Sequence, residues 1–155
     1  MLTSTQYSAL KAAVLADPTA SVYYENGNDM ELANWFNQPT THVVWRSTMT
    51  PDIARAAIIE GATQLDALTV GKRDSLFWLA SGNLDVSKPS VRAAIDDLCG
   101  SQNTLKSALQ AAERRTCSRV EKLLSTGAGT TAEPALLGFE GEFSSYEIQF
   151  IRVVE

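Results

Sequence analysis

Apolar residues recur every three or four positions through most of this 155-residue chain, which predicts a mainly helical protein. The first predicted helix begins with a capping box at 3–6, TSTQ, and ends at Asp17, because Pro18 disfavours a helical conformation in the residue before it. Similar start signals and apolar stripes predict about six helices in all. The later ones cover 28–38, 50–61, 69–80, 87–100 and 103–124.

Two segments depart from the helical pattern. Val43–Trp45 is short, β-branched and aromatic, which suits either one strand or an extended piece of core. The segment 146–150, YEIQF, alternates polar and apolar residues and predicts a strand-like tail, and 127–131, GAGTT, predicts a flexible hinge. The chain is therefore predicted to form one compact helical domain over 1–126, with a hinge and a short β or extended C-terminal arm over 127–155.

The predicted arm carries more aromatic and apolar side chains than a short acidic tail can readily bury on a monomer. A set of exposed apolar side chains marks a partner surface. The alternative is that the tail folds back on its own helices as a small hairpin. The candidate partner-interface residues are Phe139, Phe143, Tyr146, Ile148 and Phe150.

Charge is unevenly distributed along the chain. The net charge of −5 argues against DNA binding over the whole surface, because phosphate contacts need a dense Lys/Arg surface. Residues 105–132 nevertheless hold five bases and two acids, whereas 133–155 hold one base and five acids. Arg114, Arg115 and Arg119 are predicted to form a basic helix face that contacts DNA or a neighbouring subunit. The alternative is a solvated helix face that is merely rich in arginine.

The sequence contains no recognisable catalytic, cofactor or metal motif. His42 is the one histidine and is predicted to be structural, and the segment 127–131 has neither the lysine nor the spacing of a phosphate loop. Cys99 and Cys117 are predicted to be reduced core residues. The remaining large aromatic residues are predicted to lie in the core: Trp35, Trp45, Phe77 and Trp78.

No apolar run has the length of a membrane span, and the N-terminal residues lack the basic and apolar regions of a secretory signal. We therefore expect neither membrane insertion nor secretion.

Several segments in a fixed order resemble a family of proteins of this length that tailed bacteriophages encode among their head and tail structural genes. The resemblance covers nearly the whole chain and includes no catalytic motif. It rests on 15–18 LADP, 32–39 LANWFNQP, 68–73 LTVGKR, 83–95 NLDVSKPSVRAAI, 121–130 EKLLSTGAGT and 138–141 GFEG.

The resemblance implies a non-enzymatic virion protein without a cofactor, assembled in the host cytoplasm. A helical body with a C-terminal extension is similar to a head–tail adaptor, also called a head-completion protein, in the virion neck. Such a role implies a closed ring of about twelve copies, contacts with the portal protein and the next neck or tail protein, and packaged DNA in the ring lumen. The alternatives are a tail-terminator or capsid-associated protein, and a DNA-binding packaging or regulatory factor.

Overall fold

A computed structural model describes residues 2–154 and confirms a mainly helical fold. Among these residues it also contains a two-stranded sheet. The chain forms two compact units: the first contains the residues up to Val44 and those from Thr116 onward, and the second contains Trp45–Arg115. The second unit is therefore an insertion in the first. This division differs from the predicted single body over 1–126, because the N-terminal and C-terminal segments share one unit.

Helices from both ends of the chain build the first unit. Phe36, Leu10 and Leu32 are fully buried in its core, together with Phe143 and Ile148 from the C-terminal segment. Burial of these large apolar side chains is the main source of the unit's stability. The helices are α1 (Ser4–Ala16), α2 (Pro18–Glu25), α3 (Asp29–Asn37), α8 (Arg119–Leu123) and α9 (Ser145–Val153).

The second unit has an aliphatic core. Gly61 allows the end of α4 (Pro51–Glu60) to approach α7 (Asn103–Ala112) closely, because a Cβ atom there would lie 2.5 Å from the Cα of Leu105. Met49 and Leu84 exchange two backbone hydrogen bonds and join the segment that precedes α4 to the segment that follows α5 (Val70–Leu79). The elements are α4 (Pro51–Glu60), a 3-10 helix (Ala62–Ala67), α5 (Val70–Leu79), α6 (Pro89–Cys99) and α7 (Asn103–Ala112).

The sheet pairs β1 (Pro39–Trp45) with β2 (Arg114–Ser118). Its strands are antiparallel, because the backbone N–H of Arg119 donates to Gln38 at one end and that of Arg46 donates to Glu113 at the other. The prediction of an extended segment at Val43–Trp45 is confirmed as a strand.

The predicted long helix over 103–124 is wrong. It is interrupted by β2, whose residues pair with β1 instead of continuing α7. A new helix, α8, begins after Ser118, whose hydroxyl accepts from the Glu121 backbone while the Glu121 carboxylate accepts from the Ser118 N–H at 2.9 Å. This capping box is a readable signal for a new helix start.

The predicted strand over 146–150 is also wrong, because these residues lie in α9. Ser144 and Glu147 form a capping box, in which the Ser144 N–H donates to the Glu147 carboxylate at 2.8 Å. Ile148 and Ile151 are both fully buried, and their three-residue spacing suits one helix face. The alternation of apolar and polar residues was therefore part of a helical pattern.

Candidate interaction surfaces

The structure divides the predicted partner-interface residues between the core and the surface. Phe143 and Ile148 are 2% and 0% exposed and belong to the core of the first unit, so the prediction that they form a free interface is wrong. Phe139 and Phe150 are partly buried against the same core. Tyr146 alone is largely exposed, at 64%. The C-terminal segment folds back on its own helices, as the alternative held, but as a helix rather than a hairpin.

The outward side of α9 keeps an apolar surface. Tyr146, Phe150 and Val153 are spaced four and three residues apart, so they lie along one side of the helix; they are called the α9 face below. The Phe150 ring contacts Tyr146 edge-on at 5.4 Å and stacks on Tyr7 at 5.5 Å. Phe150 and Val153 line a groove of about 300 Å³ that Leu2 and Tyr7 close on the other side.

A second apolar surface lies on α5 in the second unit. Val70, Phe77 and Trp78 are exposed, Trp78 at 76%, and are called the α5 face below. The prediction that Phe77 and Trp78 belong to the core is therefore wrong. Leu76, Phe77 and Trp78 are consecutive and span about 200° around the helix. Only one side of α5 faces the core, so Leu76 is buried there while Phe77 and Trp78 are exposed.

The predicted basic helix face is not formed. Arg114 and Arg115 lie in β2, where alternate side chains point to opposite sides of the sheet. The Arg114 guanidinium lies 5.3 Å from the centre of the Trp45 ring, and the Arg92 guanidinium lies 3.9 Å from it. Arg119 is the first residue of α8 and stacks on Trp35 at 4.2 Å. The three predicted arginines therefore do not share a helix surface.

His42 contacts a serine that the sequence did not single out. Its Nε2 lies 3.0 Å from the Ser125 hydroxyl, which also donates to the Lys122 carbonyl at 2.8 Å. The Lys122 carbonyl can only accept, so the Ser125 hydroxyl uses its one proton there. Ser125 must then accept a hydrogen bond from His42. Burial, followed by the charge of Lys122, lowers the pKa of His42. In this arrangement His42 donates to the Ser125 hydroxyl and so does not accept its proton as a base.

The His42 ring packs directly against Gly129. A side chain on Gly129 would overlap the ring, and the residue has a positive φ of 67°, which favours glycine. The conformation of the segment 127–131 is therefore part of the packing around β1, with the Val43 N–H donating to the Gly129 carbonyl at 2.8 Å.

Glu113 is a buried carboxyl group in the second unit, 1% exposed, and its Oε1 has no hydrogen-bond partner among residues 2–154. Burial, and then the charge of Asp96, raise the pKa of Glu113 to about 7, while Arg92, Arg114 and Lys106 act in the opposite direction. The protonated, neutral form is therefore favoured in the folded protein at pH values below about 7.

Cys99 and Cys117 are buried and unbridged, as predicted. Burial, with the charge of Asp96 as the next cause, raises the pKa of Cys99 to about 11, so this thiol is a poor nucleophile. Across residues 2–154 no cluster of His, Cys, Asp or Glu is arranged to hold a metal ion. Within the same part of the chain, no helix has the length and apolar character of a membrane span.

Comparison with known proteins gives no match to a family model, a curated protein or a solved structure.

Proposed function

We propose that this chain is a structural protein of a tailed-bacteriophage virion that assembles with copies of itself into a ring at the head–tail connector. The main observation in support of this proposal is that two different apolar faces are exposed, one on α5 and one on α9, in different units. A ring joins each copy to two neighbours through unlike surfaces, so every copy needs two distinct patches. The α5 and α9 faces meet that requirement.

The resemblance of segments 32–39 and 83–95 to phage structural proteins supports the virion setting. In this role the ring contacts the portal protein on one side and the next neck or tail protein on the other, and packaged DNA passes through its lumen. The role is structural and needs no catalytic residue. A tail-terminator or capsid-associated position is the alternative within the virion.

Aromatic side chains at the centre of an interface contribute most to binding, and truncating such an anchor typically costs 2 kcal/mol or more. We expect Trp78→Ala to weaken self-association by about thirtyfold. Ile59→Ala is the matched control, because Ile59 is 73% exposed in the same unit but lies outside the α5 face. Sedimentation velocity over a concentration series measures both variants. If Ile59→Ala weakened self-association as much as Trp78→Ala, the α5 face would not be a specific contact between copies.

Quantitative mass spectrometry of purified particles of the encoding phage tests the position in the virion. A copy number equal to that of the portal protein is the expected result. A copy number that matches the capsid shell or tail tube would contradict the connector position, and absence from particles would contradict the virion role.

A further inference from the structure

A groove of about 430 Å³ within the first unit contains an arginine with an unsatisfied nitrogen. Arg119 and Lys122 of α8 line the groove beside Trp35 and Leu123, and small side chains of α1 form part of its wall. Lys122 follows Arg119 by three residues, which places the two cations on the same side of α8. This surface is called the Arg119 groove below.

The guanidinium of Arg119 is held in position but not saturated with hydrogen bonds. Its Cζ lies over the Trp35 ring, 4.2 Å from the ring centre. Its Nη1 is buried and has no acceptor among residues 2–154. A buried donor without an acceptor costs free energy, more so when it is charged. The side chain is therefore oriented by its position over Trp35, and it also lines the open groove, where its positive charge is available to a ligand.

The groove is also lined by one acidic residue, whose carboxylate already accepts hydrogen bonds from the backbone of the same unit. Asp17 caps α2, and its Oδ1 accepts from the backbone N–H groups of Thr19 and Ala20, each at 2.9 Å. A carboxylate at this position satisfies the exposed N–H groups at a helix start. The charge of the lining is then two cations against one acid, which favours an anion in the groove.

We propose that the Arg119 groove binds an acidic polypeptide segment of a partner protein, with a carboxylate on Arg119 and Lys122 and a neighbouring apolar side chain against Leu123. A planar guanidinium presents paired donors that match the two oxygens of a carboxylate. A nucleic acid fits less well, because the chain has a net charge of −5 and phosphate binding needs a dense basic surface. This inference does not depend on the proposed ring.

Nuclear magnetic resonance of the full-length, nitrogen-15-labelled protein tests the proposal. The probe is a capped peptide of alternating leucine and glutamate, and the matched peptide has glutamine in place of glutamate. We expect the Arg119 Nε–Hε resonance to shift saturably with the glutamate peptide and to stay unchanged with the glutamine peptide. Binding of both peptides alike would overturn the proposal.

Arg119→Lys separates guanidinium recognition from charge alone, since lysine keeps the charge and loses the planar pair of donors. We expect the affinity for the glutamate peptide, followed through backbone resonances, to fall about tenfold or more. Arg55→Lys is the control, because Arg55 is an exposed arginine of the second unit, and it should leave the affinity unchanged.

A second variant keeps the test decisive if Arg119→Lys lowers the melting temperature. Lys122→Met removes the other cation at an exposed position of α8, and we expect the affinity for the glutamate peptide to fall severalfold. Unchanged affinity in both variants, or shifts at Arg119 that arise only with a DNA duplex, would overturn the proposal.

Discussion

The two units differ in how far they bury their phenylalanine and tryptophan side chains. In the first unit Trp35, Phe36 and Phe143 are buried and in ring contact, with Phe36 centred 5.0 Å from Phe143. In the second unit the buried core is aliphatic, while Phe77 and Trp78 lie on the surface of α5. Residues of the same chemical class thus pack in the core of one unit and lie exposed on the surface of the other.

The units also differ in the polarity of their interiors. The buried carboxylate of the first unit, Glu121, accepts from the Ser118 N–H at 2.9 Å and from the Gly141 N–H at 3.2 Å. That of the second unit, Glu113, has an oxygen without a partner among residues 2–154 and a raised pKa. Backbone N–H donors stabilise the charged form of a buried carboxyl group. A buried carboxyl group without such donors favours its protonated, neutral form.

The largest expected effect is on the aromatic core of the first unit. We expect Phe143→Ala to lower the free energy of unfolding by about 3–5 kcal/mol, because it removes a buried ring and leaves a cavity. Phe77→Ala makes the same chemical change on the α5 face, where we expect a loss below about 1 kcal/mol. Urea denaturation measures both, and equal losses would contradict the comparison of the units.

The buried carboxyl group of the second unit predicts a pH dependence. Its folded pKa of about 7 exceeds the ordinary value of 4.5, so its stabilising contribution is complete below pH 4.5 and is lost as the pH rises through 7. We expect the stability difference between wild type and Glu113→Gln to change by up to about 3 kcal/mol over this range. The measurement is urea denaturation at a series of pH values, and a constant difference would show that Glu113 titrates normally.

A smaller effect is expected at the start of α9. Ser144→Ala removes the hydroxyl that accepts from the Glu147 N–H, and we expect a loss of about 1 kcal/mol in the free energy of unfolding. Ser145→Ala, one residue later and also exposed, is the control and should cost less, since alanine is favourable inside a helix. A larger loss at Ser145 would argue against the capping box.

The smallest effect on stability is expected for the most exposed aromatic side chain. Because Trp78 is 76% exposed, we expect Trp78→Ala to change the free energy of unfolding by less than about 0.5 kcal/mol. Thermal melting of the wild type and the variant is compared at a protein concentration low enough that self-association is absent. A loss like that of Phe143→Ala would mean that Trp78 stabilises the fold instead of forming a contact surface.

Local signals in the sequence predicted part of this fold correctly. The capping box of Thr3 and Gln6 and the helix break at Asp17 are both present, because they depend on neighbouring residues. The capping boxes at Ser118 and Ser144 are equally local, but the predictions for these segments rested on the apolar stripe across 103–124 and the alternation at 146–150. In each segment the capping box marks the start of a helix.

The candidate interaction surfaces were harder to predict from the sequence, because the exposure of a side chain depends on packing between distant segments. Nothing local distinguishes Phe143, which contacts Phe36 across more than a hundred residues, from Tyr146, which remains exposed. The run Leu76–Trp78 was an exception, since three consecutive apolar residues cannot all lie on one helix side. Arg119 could be identified as a charge, but its stacking on Trp35 required the tertiary structure.

We propose that the exposed faces of α5 and α9 join copies of this chain into a ring, and native mass spectrometry of the purified protein measures this assembly directly. We expect one dominant closed oligomer for the wild type and a shift to smaller species for Trp78→Ala. A wild-type protein that remains monomeric at every concentration measured would show that these faces do not join copies of the chain.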